Sequence, residues 1–185
     1  MKRLLCFTFI VILASALISC VPASPTDNTG MLRPGDKIGD MTVEQGSPSS
    51  PYLEILEYCK LQPFETEPAV FTIECTVPPV PGLALVIGWG ATEAMLTSNW
   101  DAMTWEMYID DYQVDLDKFD WVESDYPFLG PDVKARDWYI NLTDPSLGKH
   151  TFRYSWSSET PIDDGMDVYQ PGTYEQVYNF TVAEP

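Results

Sequence analysis

The sequence predicts an all-β sandwich of roughly seven to nine strands, preceded by an N-terminal segment of different character. Short runs rich in β-branched and aromatic residues recur along the chain, and turn residues separate them. No stretch has the apolar periodicity of a long amphipathic helix. The 16 Pro and 11 Gly suit a turn-rich architecture. We therefore expect residues 36–185 to form one domain built mainly of antiparallel strands.

Alternating apolar and polar residues identify the strand candidates. In residues 150–156 the side chains of Phe152, Tyr154 and Trp156 share one face, as in a half-buried strand. The run 83–89 is almost continuously apolar, which indicates a central strand or a bulge near Gly88. The clear candidates are 69–77, 83–89, 103–109, 112–116, 135–142, 150–156 and 175–182, and weaker ones are 37–43 and 52–58. Residues 52–59 are also the best helical candidate.

Turn residues lie between these runs. Asp110 and Asp111 separate 103–109 from 112–116, which predicts a tight two-residue hairpin. Residues 144–148 and 161–172 separate the later pairs of strands, and both stretches contain Pro and Gly.

Two late stretches carry a resemblance to known modules. Residues 147–154 read LGKHTFRY, and residues 171–182 read PGTYEQVYNFTV. They resemble the closing strands of Ig-like and fibronectin-like modules. The resemblance implies an Ig-like antiparallel β-sandwich. It also implies a corner in which the Tyr174 hydroxyl bonds back to the preceding loop. It supports the fold and carries almost no information on function.

The N-terminus has the three-part layout of a secretory signal. Lys2 and Arg3 precede an apolar run over residues 4–17, which is shorter than the ~20 residues of a spanning helix. Leu17, Ile18, Ser19 and Cys20 follow and are similar to the bacterial lipobox. In that family the Cys is lipidated after cleavage. The resemblance implies a signal peptide at 1–19 and lipidation of Cys20, and an ordinary signal peptide is the alternative.

The segment after Cys20 is predicted to be a flexible tether over residues 20–35. Residues 21–30 read VPASPTDNTG, a composition typical of linkers. Two or three acyl chains are sufficient for stable membrane anchoring. We therefore expect a bacterial protein held at the membrane by its lipid, with its body on the extracytoplasmic side.

Charge excludes some partners. The chain has 10 Lys+Arg and 28 Asp+Glu, a net charge of −18. Removal of Lys2 and Arg3 with the signal would make it −20, because residues 1–19 contain no acid. Such a charge repels nucleic acid and anionic headgroups. Hydrophobic residues make up 45% of the chain, enough for a packed core and against disorder.

Cys59 and Cys75 would remain free of lipid in the exported body. An even pair in an oxidising compartment predicts a disulfide. A free pair or a metal site is the alternative, but the chain has no CxxC spacing and one His.

The sequence offers no recognisable catalytic constellation. His150 is the only histidine and is expected to be a strand or turn residue with local hydrogen bonds. GxSxG, Walker, dinucleotide-binding and HExxH motifs are absent from the sequence. Carboxylates are so abundant that no acid pair stands out. We therefore predict a protein that is not an enzyme and needs no cofactor, apart from calcium at an acidic loop.

Asp163, Asp164 and Asp167 are the candidate calcium ligands, because they place three carboxylates around Gly165. Their spacing does not match the EF-hand pattern, and solvated turn residues are the alternative. Asp110, Asp111, Asp115 and Asp117 form a second acidic region.

The six Trp divide into two groups. Four lie in strand candidates and are expected in the core: Trp89, Trp105, Trp138 and Trp156. Trp100 and Trp121 are expected in loops. Asn99 and Asp101 flank Trp100, and Asp120 precedes Trp121.

A ring beside carboxylates and amides can hold a sugar or a protein partner, and it can also simply pin a loop. Trp100, Trp121, Asn99 and Asp101 are therefore the candidate ligand-binding residues. The predicted function is a lipid-anchored, non-catalytic binding or interaction module with a protein or glycan partner. The alternatives are a carbohydrate-binding module that uses Trp100 and Trp121, and an envelope hydrolase.

Overall fold

The computed structural model describes residues 30–60, 64–127 and 130–184. One α-helix, α1 (Glu93–Ala102), and two 3₁₀ helices, Ile55–Glu57 and Leu116–Lys118, accompany the strands of this part of the chain. The strands are β1 (Lys37–Ile38), β2 (Met41–Gln45), β3 (Leu53–Glu54), β4 (Val70–Val77), β5 (Gly82–Thr92), β6 (Thr104–Ile109), β7 (Tyr112–Gln113), β8 (Trp121–Asp125), β9 (Val133–Thr143), β10 (Gly148–Ser158), β11 (Ile162–Asp163), β12 (Val168–Tyr169) and β13 (Gly172–Val182).

Two main sheets form the sandwich. The first sheet has the order β1-β2-β9-β5-β3, with β8 paired to β9, and the second has the order β4-β13-β10-β6-β7. Most pairings are antiparallel, whereas β3–β5 and β13–β4 are parallel. Eight of the described strands are longer than two residues. The prediction of an all-β, Ig-like sandwich of seven to nine strands is confirmed.

The core lies between the inner faces of the two sheets. β5 is a central strand with continuous pairing to β9, and it directs Leu83, Leu85 and Ile87 inward. No bulge interrupts the pairing at Gly88, which lies opposite Asp137. A Cβ at Gly88 would lie 2.1 Å from the Arg136 carbonyl oxygen, so close approach of β9 requires glycine at this position. The second sheet contributes the buried residues Met107, Ile109, Phe152, Tyr178 and Phe180.

The predicted disulfide joins Cys59 to Cys75, with 5.3 Å between their Cα atoms. It ties the segment after the first 3₁₀ helix to β4. On the chain-entropy estimate, closing a loop of this length stabilises the fold by ~3 kcal/mol.

The predicted 110–111 turn and the tyrosine corner are confirmed, whereas residues 161–172 contain the β11–β12 hairpin in addition to turns. Asp110 and Asp111 have φ values of 46° and 67°, the left-handed conformation expected of a tight hairpin turn between β6 and β7. The Tyr174 hydroxyl contacts the carbonyl oxygens of Thr66 and Gln170, each at 2.8 Å. Gln170 lies in the preceding loop, as the resemblance implied.

Several local predictions were wrong. α1 was not predicted, because only Leu96 and Asn99 of its ten residues are buried and no apolar stripe marks it. Residues 37–43 form the β1–β2 hairpin rather than one strand. Residues 52–59 form a two-residue strand and a 3₁₀ helix instead of one longer element.

The predicted signal peptide, Cys20 and the predicted tether up to residue 29 lie outside the described residues. Leu32 is 6% exposed and pairs with Val114, so the folded body begins before residue 36. Within the described ranges, no helix has the length and apolar character needed to cross a membrane.

Candidate binding groove

An open groove of about 530 Å³ lies where the end of α1, the second 3₁₀ helix, β8 and β9 meet. Its lining is mainly aromatic and includes two carboxylates. Register explains why two of the rings come together, since Trp121 of β8 lies directly opposite Trp138 of β9. The lining residues are Trp100, Leu116, Asp117, Phe119, Asp120, Trp121 and Trp138.

Four indole rings form what we call the open tryptophan cluster: Trp100, Trp105, Trp121 and Trp138. The Trp100 ring lies 4.5 Å from that of Trp138 and 5.4 Å from that of Trp105, measured between centroids. Trp121 is at the edge of the cluster, 6.3 Å from Trp100, and is 45% exposed. The inner rings therefore form a packed base on which Trp121 presents an accessible surface.

Arg136 lies within this cluster. Its guanidinium is 4.2 Å from the Trp121 ring centroid and 5.3 Å from that of Trp100. It donates to the Glu123 carboxylate at 3.1 Å and to the Thr97 hydroxyl at 3.3 Å. Glu123 lies opposite Arg136 in the β8–β9 register, so the sheet itself aligns this pair. The buried Nε of Arg136 has no hydrogen-bond partner in the described part of the chain.

The segment that carries Asp117 and Asp120 on one side of the groove is held by the Gln45 side-chain amide. The backbone N–H of Asp120 donates to Gln45 Oε1 at 2.8 Å, and Gln45 Nε2 donates to the Asp120 carbonyl at 3.2 Å. Phe119 is 4% exposed and anchors the same segment in the core. Asp117 and Asp120 are exposed residues in the lining.

The structure brings Trp100 and Trp121 together but corrects their expected setting. Both were predicted in loops, whereas Trp100 lies on α1 and Trp121 begins β8. Asn99 and Asp101 do not line the groove. Asn99 is 7% exposed, and its amide donates to the Asp163 carbonyl at 2.8 Å, so it fastens α1 to the β11–β12 hairpin.

The candidate calcium ligands lie in that hairpin. Asp164 Oδ1 accepts the backbone N–H groups of Met166 and Asp167 at 2.7 and 2.8 Å, and Asp163 Oδ1 accepts that of Gly165 at 2.8 Å. These contacts hold the turn together by themselves. Among the described residues, no three His, Cys, Asp or Glu side chains converge as a metal site. Calcium binding by Asp163, Asp164 and Asp167 stays a prediction.

His150 has the local bonding expected of it. Its Nδ1 lies 2.7 Å from Asp110 Oδ2, and its Nε2 lies 2.8 Å from the Ser146 carbonyl oxygen. The hydrogen bond to Asp110 is the main cause that raises the pKa of His150 above its ordinary value, against an opposing effect of burial. The ring thereby links the 110–111 turn to the 144–148 turn.

Asp137 is a further perturbed group, on β9 beside Arg136 and Trp138 in sequence. Burial, reinforced by the Glu54 carboxylate, raises the pKa of Asp137 to about 7. Desolvation is also the main cause that raises the pKa of Tyr139 on the same strand, and Asp137 and Glu54 add to it.

Sequence reasoning missed several residues that shape the groove: Leu116, Phe119, Gln45 and Arg136. Arg136 falls in a strand candidate where a cation is normally placed on the wet face. Its position opposite Glu123 depends on β8, a short polar strand that the apolar pattern does not reveal. The available sequence signal for the groove was the group of acidic residues near Trp121.

The fold defines the protein as an Ig-like β-sandwich with an aromatic surface groove. No protein-family model matches the chain. No curated protein matches it either. Among solved structures, it is similar to PbICP-C in complex with falcipain-2, with 13% identity, coverage of 66% of this chain and 96% of that one, and a TM-score of 0.36.

A second similar structure is the cysteine protease inhibitor EhICP2 from Entamoeba histolytica. Identity is 12%, the match covers 63% of this chain and 96% of that one, and the TM-score is 0.30. At these TM-scores neither similarity carries an inference about the function of this protein.

Proposed function

We propose that the protein is a non-catalytic binding module, tethered to a bacterial membrane through a lipid on Cys20, and that it binds its partner in the tryptophan groove. The observation that carries the proposal is Trp121. A large aromatic side chain that is 45% exposed lies on a packed aromatic base, at the edge of an open groove. Exposed aromatic residues over a rigid base are typical of binding hot spots.

Preorganisation supports a binding role. Trp138 is 7% exposed, and Trp100 packs 4.5 Å from it, so the base of the groove is already ordered. The Gln45 amide holds the Asp120 backbone on the opposite wall. A partner that enters this groove would not have to order these side chains, and less of its binding energy would be lost to entropy.

A glycan is the second candidate partner. One specific feature favours it: Trp121 combines an accessible ring with neighbouring Asp117 and Asp120, which can accept hydrogen bonds from sugar hydroxyls. The proposal of a binding module does not depend on which of the two partners is correct.

Calorimetric titration of the protein with a panel of peptides and glycans tests the proposal. At least one probe should bind, and Trp121→Ala should weaken that binding by about tenfold or more. Tyr112→Ala is the matched control, because Tyr112 is 39% exposed and lies outside the groove. Equal losses in both variants, or no binding by any probe, would refute the groove as the binding site.

The membrane tether requires a separate test. Cys20→Ser should abolish incorporation of labelled fatty acid and move the protein from the detergent phase to the aqueous phase. The net charge of −20 expected after removal of the signal gives the body no attraction to anionic headgroups, so the lipid alone would supply membrane association. Unchanged partitioning of Cys20→Ser would contradict the anchor.

A further inference from the structure

The charge in the lining of the groove is negative. Asp117 and Asp120 are the charged residues in its lining, and both are exposed. Neither forms a salt bridge with another described residue. Two cations lie nearby. Lys118 is exposed and lies outside the lining. Arg136 is a buried residue, 7% exposed, and its guanidinium pairs with Glu123. The two carboxylates therefore present their charge to the solvent and to any molecule that enters.

The rings of the groove also suit a cation. Arg136 shows that they accommodate a guanidinium, since it lies 4.2 Å from the Trp121 centroid. Trp121 nevertheless remains 45% exposed, so part of its indole is free for a second contact. A cation beside an indole is attracted by the negative face of the ring, and nearby carboxylates add to this attraction.

From this charge complementarity we infer that the occupant of the groove is a positively charged segment of a protein partner. A Lys or Arg side chain of that segment contacts Trp121 and pairs with Asp117 and Asp120. Leu116 and Phe119 provide apolar surface for the neighbouring residues of the segment. The net charge of −18 attracts such a partner from a distance and repels acidic ones. The inference rests on the proposed function and specifies its partner.

Fluorescence anisotropy with labelled octapeptides tests this inference on the full chain. The probe alternates Lys with Ala, and the comparison peptides carry Gln or Glu in place of Lys. We expect the Lys peptide to bind at least about tenfold more tightly than the Gln peptide, and the Glu peptide not to bind. Binding should weaken as salt increases, because the carboxylates are exposed.

Two double variants with the same change in net charge distinguish binding in the groove from general attraction by the net charge of the protein. Asp117→Asn/Asp120→Asn should weaken binding of the Lys peptide by about tenfold or more. Glu65→Gln/Glu67→Gln is the matched control, because both residues are exposed and lie outside the groove. Equal losses in the two double variants would show attraction by net charge alone and would overturn the inference. Thermal unfolding confirms that each variant is folded.

The outcomes distinguish this inference from the proposed function. If the Gln peptide or a neutral glycan binds as tightly as the Lys peptide and Trp121→Ala removes that binding, the groove is a binding site but its partner is not cationic. If no peptide or glycan shows binding that depends on Trp121, both conclusions fail.

Discussion

Two aromatic clusters of the same sandwich are built from similar residues and differ in their exposure to solvent. What we call the closed cluster consists of Trp89, Trp156, Tyr169 and Tyr174. Trp156 and Tyr174 stack with their ring centroids 4.0 Å apart and are both 0% exposed. The open tryptophan cluster instead ends in Trp121, which is 45% exposed. The difference indicates that one cluster stabilises the fold while the other presents a surface.

The elements around the clusters explain the difference. The closed cluster is sealed by the β11–β12 hairpin, which places Tyr169 5.1 Å from Trp89. The open cluster lies where α1 packs beside β9 and leaves the start of β8 uncovered. A charged residue, Arg136, occupies a position that an apolar side chain would fill in an ordinary core. Such a departure from core packing is expected at a functional site rather than at a purely structural one.

The largest expected effect separates the clusters by stability. Trp156→Ala should lower the free energy of unfolding by ~3–5 kcal/mol, because it removes a fully buried indole and leaves a cavity between the sheets. Urea unfolding followed by circular dichroism measures this. A loss below ~1 kcal/mol would mean that the closed cluster is not a stabilising core.

The second prediction concerns pH. Tyr169 of the closed cluster has its pKa raised by burial to about 12, so it stays neutral near pH 7. Asp137, beside the open cluster in sequence, has its pKa raised to about 7 from an ordinary 3.8. Because the folded state holds this proton more tightly, the contribution of Asp137 to stability is fully present below pH 3.8 and is lost as pH rises through about 7. The His150 contribution is likewise present below pH 6.5 and is lost as pH rises through its raised pKa.

Asp137→Asn should therefore stabilise the protein at pH 8 by ~1–2 kcal/mol, a value reduced for the partial exposure of Asp137. Melting temperatures at pH 4, 6 and 8 check this. The wild-type decline between pH 4 and 6 should flatten in the variant, while the decline due to His150 remains. A variant that is less stable than wild type at pH 8 would contradict the cause given for the raised pKa.

The third prediction addresses how the closed cluster is positioned. Tyr174→Phe should cost ~1 kcal/mol, since it keeps the stacked ring but removes the hydroxyl that bonds to Thr66 and Gln170. Tyr112→Phe is a suitable control, because that hydroxyl belongs to an exposed side chain. Comparable losses of stability in both variants would show that the corner contributes nothing specific.

The two clusters also show how much the sequence could predict. The closed cluster follows from strand alternation: Trp156 and Tyr174 lie on long strands whose apolar faces are visible, and the tyrosine corner has its own motif. The same local signals identified seven strand regions and the disulfide. These features depend on residues close in sequence or on a fixed period.

The open cluster depends on contacts that no local pattern encodes. Trp121 and Trp138 meet only because the short polar β8 pairs with β9, and Trp100 joins them from a helix with no apolar stripe. Gln45 holds Asp120 across 75 positions of sequence. The sequence could suggest that Trp100 and Trp121 are binding residues. It could not predict the packed rings beneath Trp121 or the position of Arg136.

The smallest expected change in stability is also the sharpest test of the comparison. Trp121→Ala should alter the free energy of unfolding by less than ~1 kcal/mol, because much of the ring is already in water and no sealed cavity forms. The same variant should lose binding in the groove, so stability and binding separate at this residue. Trp156→Ala should show the opposite ratio, with a large loss of stability. If Trp121→Ala instead destabilises the protein as strongly as Trp156→Ala, the open cluster is part of the hydrophobic core. The exposure of Trp121 would then have no functional meaning.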